Sequence, residues 1–254
     1  MSTDYPPDFV ARFYDLIYKK VRTGVDLDYY MKKILETDGP VLELGVGTGR
    51  IFMKALEKGA DIYGIDISPS MVEKLKEKLD RKRHKRVFIQ DASNMSLDKK
   101  FDLIIAPFRV FSHIIKVKNQ IAVLDKIYEY LNDKGKLIFD LYVPDLKLLL
   151  EGMRNYMDFD EEYEPGKRIK RFISVKSDLV NQISYVNMKL VWEEADKEIA
   201  KDWNFQMRFY FRFELEHLIR QSKLRLINIF GDFDENELNS DSKEFIVVCQ
   251  KLED

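Results

Sequence analysis

The chain has 254 residues, 44 acidic against 42 Lys and Arg for a formal net charge of −2, 45% hydrophobic residues and one cysteine. The near balance of charge excludes a global field for nucleic acid, the apolar share supports a globular core, and a lone Cys249 excludes an internal disulfide. With no apolar run resembling a leader and none reaching the roughly 18 residues of a membrane span, a cytoplasmic protein that engages no membrane is expected, and the charged composition leans toward a thermophilic source.

Residues 8–20 predict a helix, with Phe9, Phe13, Leu16 and Ile17 at helical spacing and Tyr14 and Tyr18 on a neighbouring stripe. A second helix is expected over 26–37, stopped by Asp38-Gly39-Pro40. These two precede the sheet and are placed to cap a ligand. Then comes Val41-Leu42-Glu43-Leu44-Gly45-Val46-Gly47-Thr48-Gly49-Arg50, an apolar strand that runs into a glycine-rich turn and a helix over 51–58. Strand–helix alternation follows. Strands are expected over 62–66, 86–90, 101–106 and 136–142. The helix opening at Pro69 has Ser68 as its N-cap, and another is expected over 119–131. That order indicates a parallel sheet covered on both faces.

After Pro144 the period changes. A short helix over 145–152 leads to three alternating segments, 167–177, 179–193 and 198–211, broken near Ser177-Asp178 and Glu194-Ala195-Asp196. In the last, Trp203, Phe205, Met207, Phe209 and Phe211 share one face, which reads as core more readily than as a substrate platform. This predicts an antiparallel meander inserted into the parallel fold. A helix over 213–222 and two strands, 224–230 and 244–250, close the chain. The expected fold is α/β, a single unit with cap helices over 1–39, a cofactor-binding core over 40–142, the inserted meander over 143–212 and a return to the core sheet over 213–254.

A first strand that opens into a glycine turn is the ligand-binding corner of a doubly wound sheet. Here the spacing is G-x-G-x-G, through Gly45, Gly47 and Gly49, and not the G-x-G-x-x-G of a dinucleotide site. Glu43, two residues before the first glycine, suits an ammonium group and not a pyrophosphate. That contrast favours S-adenosylmethionine over a nicotinamide cofactor. Asp66 ends the second strand 17 residues beyond Gly49, where a carboxylate can accept from both ribose hydroxyls. Asp91 ends the third strand, placed to accept from the adenine amino group while the Ala92 amide meets a ring nitrogen.

Glu43-Leu44-Gly45-Val46-Gly47-Thr48-Gly49, Gly64-Ile65-Asp66-Ile67-Ser68-Pro69-Ser70-Met71, Gln90-Asp91-Ala92 and Lys134-Gly135-Lys136-Leu137-Ile138-Phe139-Asp140 resemble, as a set over 40–142, the motifs of class I S-adenosylmethionine-dependent methyltransferases. The resemblance implies a Rossmann-like, seven-stranded, mostly parallel sheet with its last strand antiparallel. It also implies cofactor contacts at Val46, Ile67, Met71 and Phe108. A narrower resemblance, to sugar N,N-dimethyltransferases and glycine N-methyltransferase-like enzymes, rests on Phe9 to Tyr18, on Ala106-Pro107-Phe108-Arg109-Val110-Phe111-Ser112-His113 and on Phe230-Gly231-Asp232-Phe233-Asp234. It implies a meander that caps the acceptor, a cofactor contact near the sulfonium from Tyr14, and an acceptor-facing His113.

The implied reaction is an in-line displacement at the methyl carbon, leaving S-adenosylhomocysteine, with nitrogen or oxygen of a small molecule as acceptor. His113 is a candidate base by its near-neutral intrinsic titration, or else a wall of the pocket. Arg109, Arg208 and Arg212 are candidate anchors for an acidic group, or else surface cations with local partners. The basic run Arg81-Lys82-Arg83-His84-Lys85-Arg86 reads as a solvated helix end. No metal-ligand spacing occurs. The expected partner is a small-molecule methyl acceptor, nucleic acid is not expected, and a homodimer is allowed. Two rival readings stand beside this one: an RNA or protein methyltransferase on the same fold, and a non-catalytic S-adenosylmethionine-binding protein.

Overall fold

In the computed structural model, which describes residues 5–21, 24–195 and 197–252, helices α1 (Asp8–Val21) and α2 (Val25–Leu35) lead into a parallel sheet. Its strands and covering helices follow as β1 (Val41–Leu44), α3 (Arg50–Glu57), β2 (Ile62–Asp66), α4 (Pro69–Lys78), β3 (Val87–Ile89), β4 (Phe101–Ala106), α5 (Val117–Tyr130) and β5 (Leu131–Tyr142). Ser68 caps α4 as its sequence predicts, its Oγ accepting from the Met71 amide at 3.3 Å with Pro69 at the first helical position. The short helix α6 (Leu146–Glu151) opens the insertion. Strands β6 (Met153–Glu164), β7 (Lys167–Asp178), β8 (Ile183–Glu194) and β9 (Lys197–Arg208) follow, and α7 (Arg212–Arg220), β10 (Arg225–Phe230) and β11 (Glu244–Gln250) close the chain.

The main sheet has seven strands in the order β10-β11-β5-β4-β1-β2-β3, with β11 antiparallel to both its neighbours and every other pairing parallel. β1 sits between β4 and β2, so the sheet changes winding direction there, and a crevice opens at the carboxyl end of β1. Apolar side chains pack on both faces. Leu42, Leu44, Phe101, Phe111, Phe139 and Val247 lie in one layer, and Val41, Ile51, Phe52, Ile62, Val72 and Ile105 in the other. Cys249 is a small buried core residue whose thiol burial pushes up to about 12, which leaves it unreactive.

The second sheet is an antiparallel meander in the order β6-β7-β8-β9. It has four strands, not the three that alternation predicts. β6 escapes a period-two reading because it is a solvated edge. Its only fully buried side chain is Phe159, its sequence runs Asp158-Phe159-Asp160-Glu161-Glu162, and its register with β7 shifts three times. Charge on an edge strand blocks pairing with another chain. β9 also ends earlier than expected, at Arg208. Phe209 and Tyr210 are consecutive and both buried while Phe211 is half exposed, so the shared face stops at Met207. β5 begins at Leu131 and takes in the expected turn at 132–135 as a bulge, with Lys134 at φ +63°. Of the expected break at 194–196, Asp196 lies outside the described residues.

A third apolar cluster joins the two sheets. Val10, Ala11, Phe13 and Ile17 of α1 pack with Met71 of α4 and with Phe159, Ile169, Met188, Leu190, Trp192 and Trp203 of the meander. The helix is thus wedged between the core and the insertion. Arg12–Glu194 and Lys20–Glu161 pairs flank it at 2.8 and 3.3 Å.

Candidate active site

The turn after β1 has Gly45, Gly47 and Gly49 at φ +66°, +55° and +89°. Two of them act in different ways. A side chain at Gly45 would run into Val110, so this glycine lets the loop after β4 close on the turn. A side chain at Gly47 would meet nothing nearer than a carbonyl of its own turn at 3.9 Å, so this glycine leaves backbone open to a ligand.

Two acids flank the turn. Glu43 is buried to 3% exposure, accepts one backbone N–H from Phe52, and leaves its Oε2 without a hydrogen-bond partner. Burial pushes its titration up to about 8 and nearby Asp66 adds to the rise, while Arg50 opposes it. Arg50 is itself engaged by Asp26 of α2, with Nη1 donating to Oδ1 at 3.2 Å and Nη2 to Oδ2. Asp66 accepts from the Gly47 amide and from the Ser68 amide, both at 2.8 Å. Burial raises its titration and those amides oppose it. Each oxygen has a second lone pair for an incoming hydroxyl.

Beyond β3, Asp91 is exposed and closes a small turn by accepting from the Ser93 amide at 2.8 Å. The Gln90 amide donates to the Asp66 carbonyl, which keeps the two acids on neighbouring strand ends. Ala92 is half-buried against the core, and Ile67 is 42% exposed at the crevice edge. Val46 and Met71 direct their side chains into packing, at 3% and 2% exposure, so their part in a site falls to the backbone.

α1 closes over this corner. Thr48 Oγ1 donates to Asp15 at 2.5 Å, and Lys78 bridges Asp15 to the Thr48 carbonyl. Ser68 and Ser70 hold the Pro6 carbonyl at 3.2 and 3.3 Å. Tyr14 packs on Tyr18 at 4.3 Å between centroids, and Tyr18 meets Phe108 edge-on at 5.1 Å. The Arg50 guanidinium lies 5.8 Å from the Phe108 ring. Phe108 and Arg109 are consecutive non-glycine residues in the left-handed region, at φ +62° and +61°. Asp140 of β5 holds them there. Its Oδ1 accepts from the Phe108 amide at 2.7 Å and from Tyr30 Oη at 2.7 Å, and its Oδ2 accepts from the Arg109 amide at 3.1 Å.

The loop after β4 faces the end of β9. His113 stacks obliquely on Phe205 at 5.7 Å, and Phe205 stacks on Trp203 at 4.1 Å. Burial pushes the His113 titration down to about 4, and its ring donates to no carboxylate among the described residues. Arg109 turns to Glu244 at 2.9 Å and lies over Tyr142, which hydrogen-bonds Ser184. Arg208 pairs with Glu214 at 3.1 Å and donates to the Ile115 carbonyl. Arg212 is exposed and pairs with Glu216 along α7. Buried polar atoms without a hydrogen-bond partner in this region include Arg109 Nε, Ser112 Oγ, Trp203 Nε1, Arg208 Nε and Tyr210 Oη. Such atoms are costly unless a ligand or water meets them.

The turn at Gly231-Asp232 serves α2. Asp232 caps the amides of Asp234 and Asn236, and Phe233 packs on Tyr29 and Tyr30. An open groove of about 820 Å³ lies between α6 and Asn187, Asn204 and Gln206 of the meander. None of the expected site residues lines it. Sequence reasoning passes over Asp26, Tyr30, Glu214 and Glu244, because each works only through a partner distant in the chain. The one visible signal is Asp140, which ends a motif of the resemblance without a stated task.

The donor set fits an S-adenosyl amino-acid cofactor. A buried carboxylate with an unmet oxygen stands beside an open glycine turn, and a second carboxylate at the next strand end has lone pairs to spare. Comparison with known proteins agrees. Residues 42–137 match a family model described as a methyltransferase domain. A glycine/sarcosine N-methyltransferase of Aphanothece halophytica is 24% identical over 98% of this chain and 91% of its own length. A malonyl-[acyl-carrier protein] O-methyltransferase of Ilyobacter polytropus is 29% identical over 63% of this chain, which spans only 57% of that protein. The sugar N-methyltransferase KedS8 from Streptoalloteichus has a similar structure, with a TM-score of 0.77 at 15% identity over 100% of this chain and 98% of that one.

Proposed function

We propose that the chain, whose residues 42–137 match a methyltransferase domain, uses S-adenosylmethionine to methylate a nitrogen or oxygen of a small, polar molecule without an acidic group. The observation that carries the acceptor class is the charge balance around these unmet polar atoms. Both arginines among them already have a carboxylate partner, Arg109 with Glu244 and Arg208 with Glu214. The region therefore offers directed hydrogen bonds and an aromatic wall, but, among the described residues, no spare cation for a carboxylate or phosphate. That suits a hydroxylated or aminated acceptor such as a sugar, in keeping with the sugar N-methyltransferase neighbour. Methylation of a free amino acid, suggested by the glycine/sarcosine relative, would require one of those arginines to leave its partner.

The donor supplies a methyl group on a cationic sulfonium, whose charge disappears on transfer. In this reading Glu43 holds the donor's ammonium, the backbone of Gly45, Val46, Gly47 and Gly49 borders its methionine chain, and Asp66 accepts from the ribose hydroxyls. Asp91 and Ala92 meet the adenine, with Ile67 and the Met71 backbone at its edge. Tyr14, with Tyr18 and Phe108, presents ring faces toward the sulfonium, which orients the methyl group and excludes water. Arg109, Arg208 and Tyr210 align the acceptor. His113 stays neutral and shapes the wall with Phe205, since a group that titrates near 4 is a weak base at neutral pH.

A cytoplasmic location belongs to this reading, and a homodimer is compatible with it. Among the described residues no helix is long and apolar enough to cross a membrane. The basic run offers little to RNA, because Arg83 pairs with Asp80 and Arg86 with Asp61. The test is product formation from labelled donor with amino sugars, polyols, simple amines and amino acids. Methylation of uncharged or aminated polyols is expected. Turnover of free amino acids alone would sink the acceptor class. Donor binding without turnover on any acceptor would favour a non-catalytic binder. Tight, salt-sensitive RNA binding would favour a nucleic-acid enzyme.

A further inference from the structure

Glu43 differs from Asp66, the other buried acid of the crevice, in having an oxygen that meets no donor. It is buried at the end of β1, and its Oε2 meets no donor. On the α3 side it sees Arg50 and the Phe52 amide, on the β2 side Asp66, and on the β4 side apolar Ile105 across the ladder. Arg50 gives it little relief, because two guanidinium nitrogens bond to Asp26 of α2, and Tyr14 of α1 also lies within its field. The Arg50–Asp26 pair is close to neutral as a unit. What remains is two neighbouring acids, Glu43 and Asp66, with no free cation beside them among the described residues. Asp66 has backbone amides on both its oxygens, whereas Glu43 has one amide for the whole group. Of the two, Glu43 is the acid that holds its proton.

We propose that Glu43 is the neutral carboxylic acid in the free protein and that seating the donor's α-ammonium beside it drives the proton off, so that donor binding releases one proton. The inference rests on the cofactor reading above. In this step the carboxyl O–H bond breaks, its electron pair stays on Oε2, the proton passes to the buffer, and the ammonium keeps its three protons. The site then selects ligands that carry an amino-acid end, because only they supply the cation that ionises Glu43.

Two consequences can be measured. With the free carboxyl titrating near 8, affinity for the donor or its product rises with pH and levels off there. The gain from pH 6 to pH 8 is about twenty-five-fold by proton linkage, counting both Glu43 and the ligand's own α-amino group. The ligand's own α-amino group, titrating at about 8, ends the rise. Ligands without that group show no such slope.

The experiment is isothermal titration of the full chain at pH 7 with S-adenosylhomocysteine, in buffers of different ionisation enthalpy. It is repeated with 5′-methylthioadenosine, which lacks the amino-acid end. Release of close to one proton is expected with the first ligand and none with the second. Glu43→Gln should abolish the release and flatten the pH dependence of the dissociation constant. Release of less than about 0.2 proton by the unmodified chain overturns the proposal while leaving the cofactor reading intact. So does equal release with both ligands, a comparison that needs no variant. Failure of S-adenosylhomocysteine to bind at all would overturn the cofactor reading and the proposal with it.

Discussion

Asp140 is a buried carboxylate that receives three hydrogen bonds, two from the backbone of a left-handed turn and one from a helix of the cap. Two consecutive non-glycine residues at positive φ cost on the order of 1–3 kcal/mol each, and they persist only where the surroundings over-determine them. Asp140→Ala removes that constraint and leaves Tyr30 Oη buried without an acceptor. A loss of about 3 kcal/mol in unfolding free energy is expected by urea titration. His113 yields a second expectation. Its titration is depressed, so the stability it contributes is complete above its unfolded value of about 6.5 and is lost as pH falls through about 4. His113→Phe should flatten the thermal midpoint over that window. It should keep turnover within about tenfold, where a general base would cost about 10²–10⁴-fold. Glu43 and Asp66 were legible from sequence because an acid at a strand end next to a glycine turn carries its meaning locally. Asp140 was not, because its task exists only where β5, α2 and the loop after β4 meet.

At the scale of elements, the N-cap of α4 does double duty. Ser68 Oγ accepts from the Met71 amide and also donates to the Pro6 carbonyl, so one hydroxyl starts a helix and pins the chain that enters α1. Ser68→Ala should lower stability by about 1 kcal/mol. It should also raise the dissociation constant for S-adenosylhomocysteine by loosening that crossing, measured by titration calorimetry. An unchanged affinity would separate the cap from the crossing. The cap was readable because Ser-Pro-Ser ahead of an apolar stripe is a local signal. The edge strand β6 was not, since its charged residues follow from exposure at the margin of a sheet that does not exist until β7 to β9 have folded. Arg109, Arg208 and Arg212 carried two readings, anchors for an acidic acceptor or cations with local partners, and the acids they meet are Glu244, Glu214 and Glu216 of the same chain.

The whole molecule is tied together by the cluster that α1 shares with the meander. Both tryptophans of the chain, Trp192 and Trp203, belong to that cluster. Their fluorescence therefore reports the insertion, while helical circular dichroism is dominated by the core. The two signals should melt together, and S-adenosylhomocysteine should raise both midpoints equally. Separate transitions would mean that the meander folds as its own unit. The order of elements made the parallel sheet and the inserted strands legible. The placement of α1 between them was beyond the sequence, because an amphipathic helix declares an apolar face without naming what covers it.

That placement bears on the sequence of events in a catalytic cycle. The segment leading into α1 is bound to Ser68 and Ser70 at the carboxyl end of β2, and the helix itself is bonded to the glycine turn through Thr48 and Asp15. Its other side carries the wall of aromatic residues that borders the acceptor region. If exchange of the donor for its spent form displaces α1, it also disturbs the aromatic cluster that α1 shares with the meander. Traffic through the site should thus be compulsory, with the donor first in and its demethylated product last out. Initial-rate plots should intersect, and S-adenosylhomocysteine should compete with the donor but not with the acceptor.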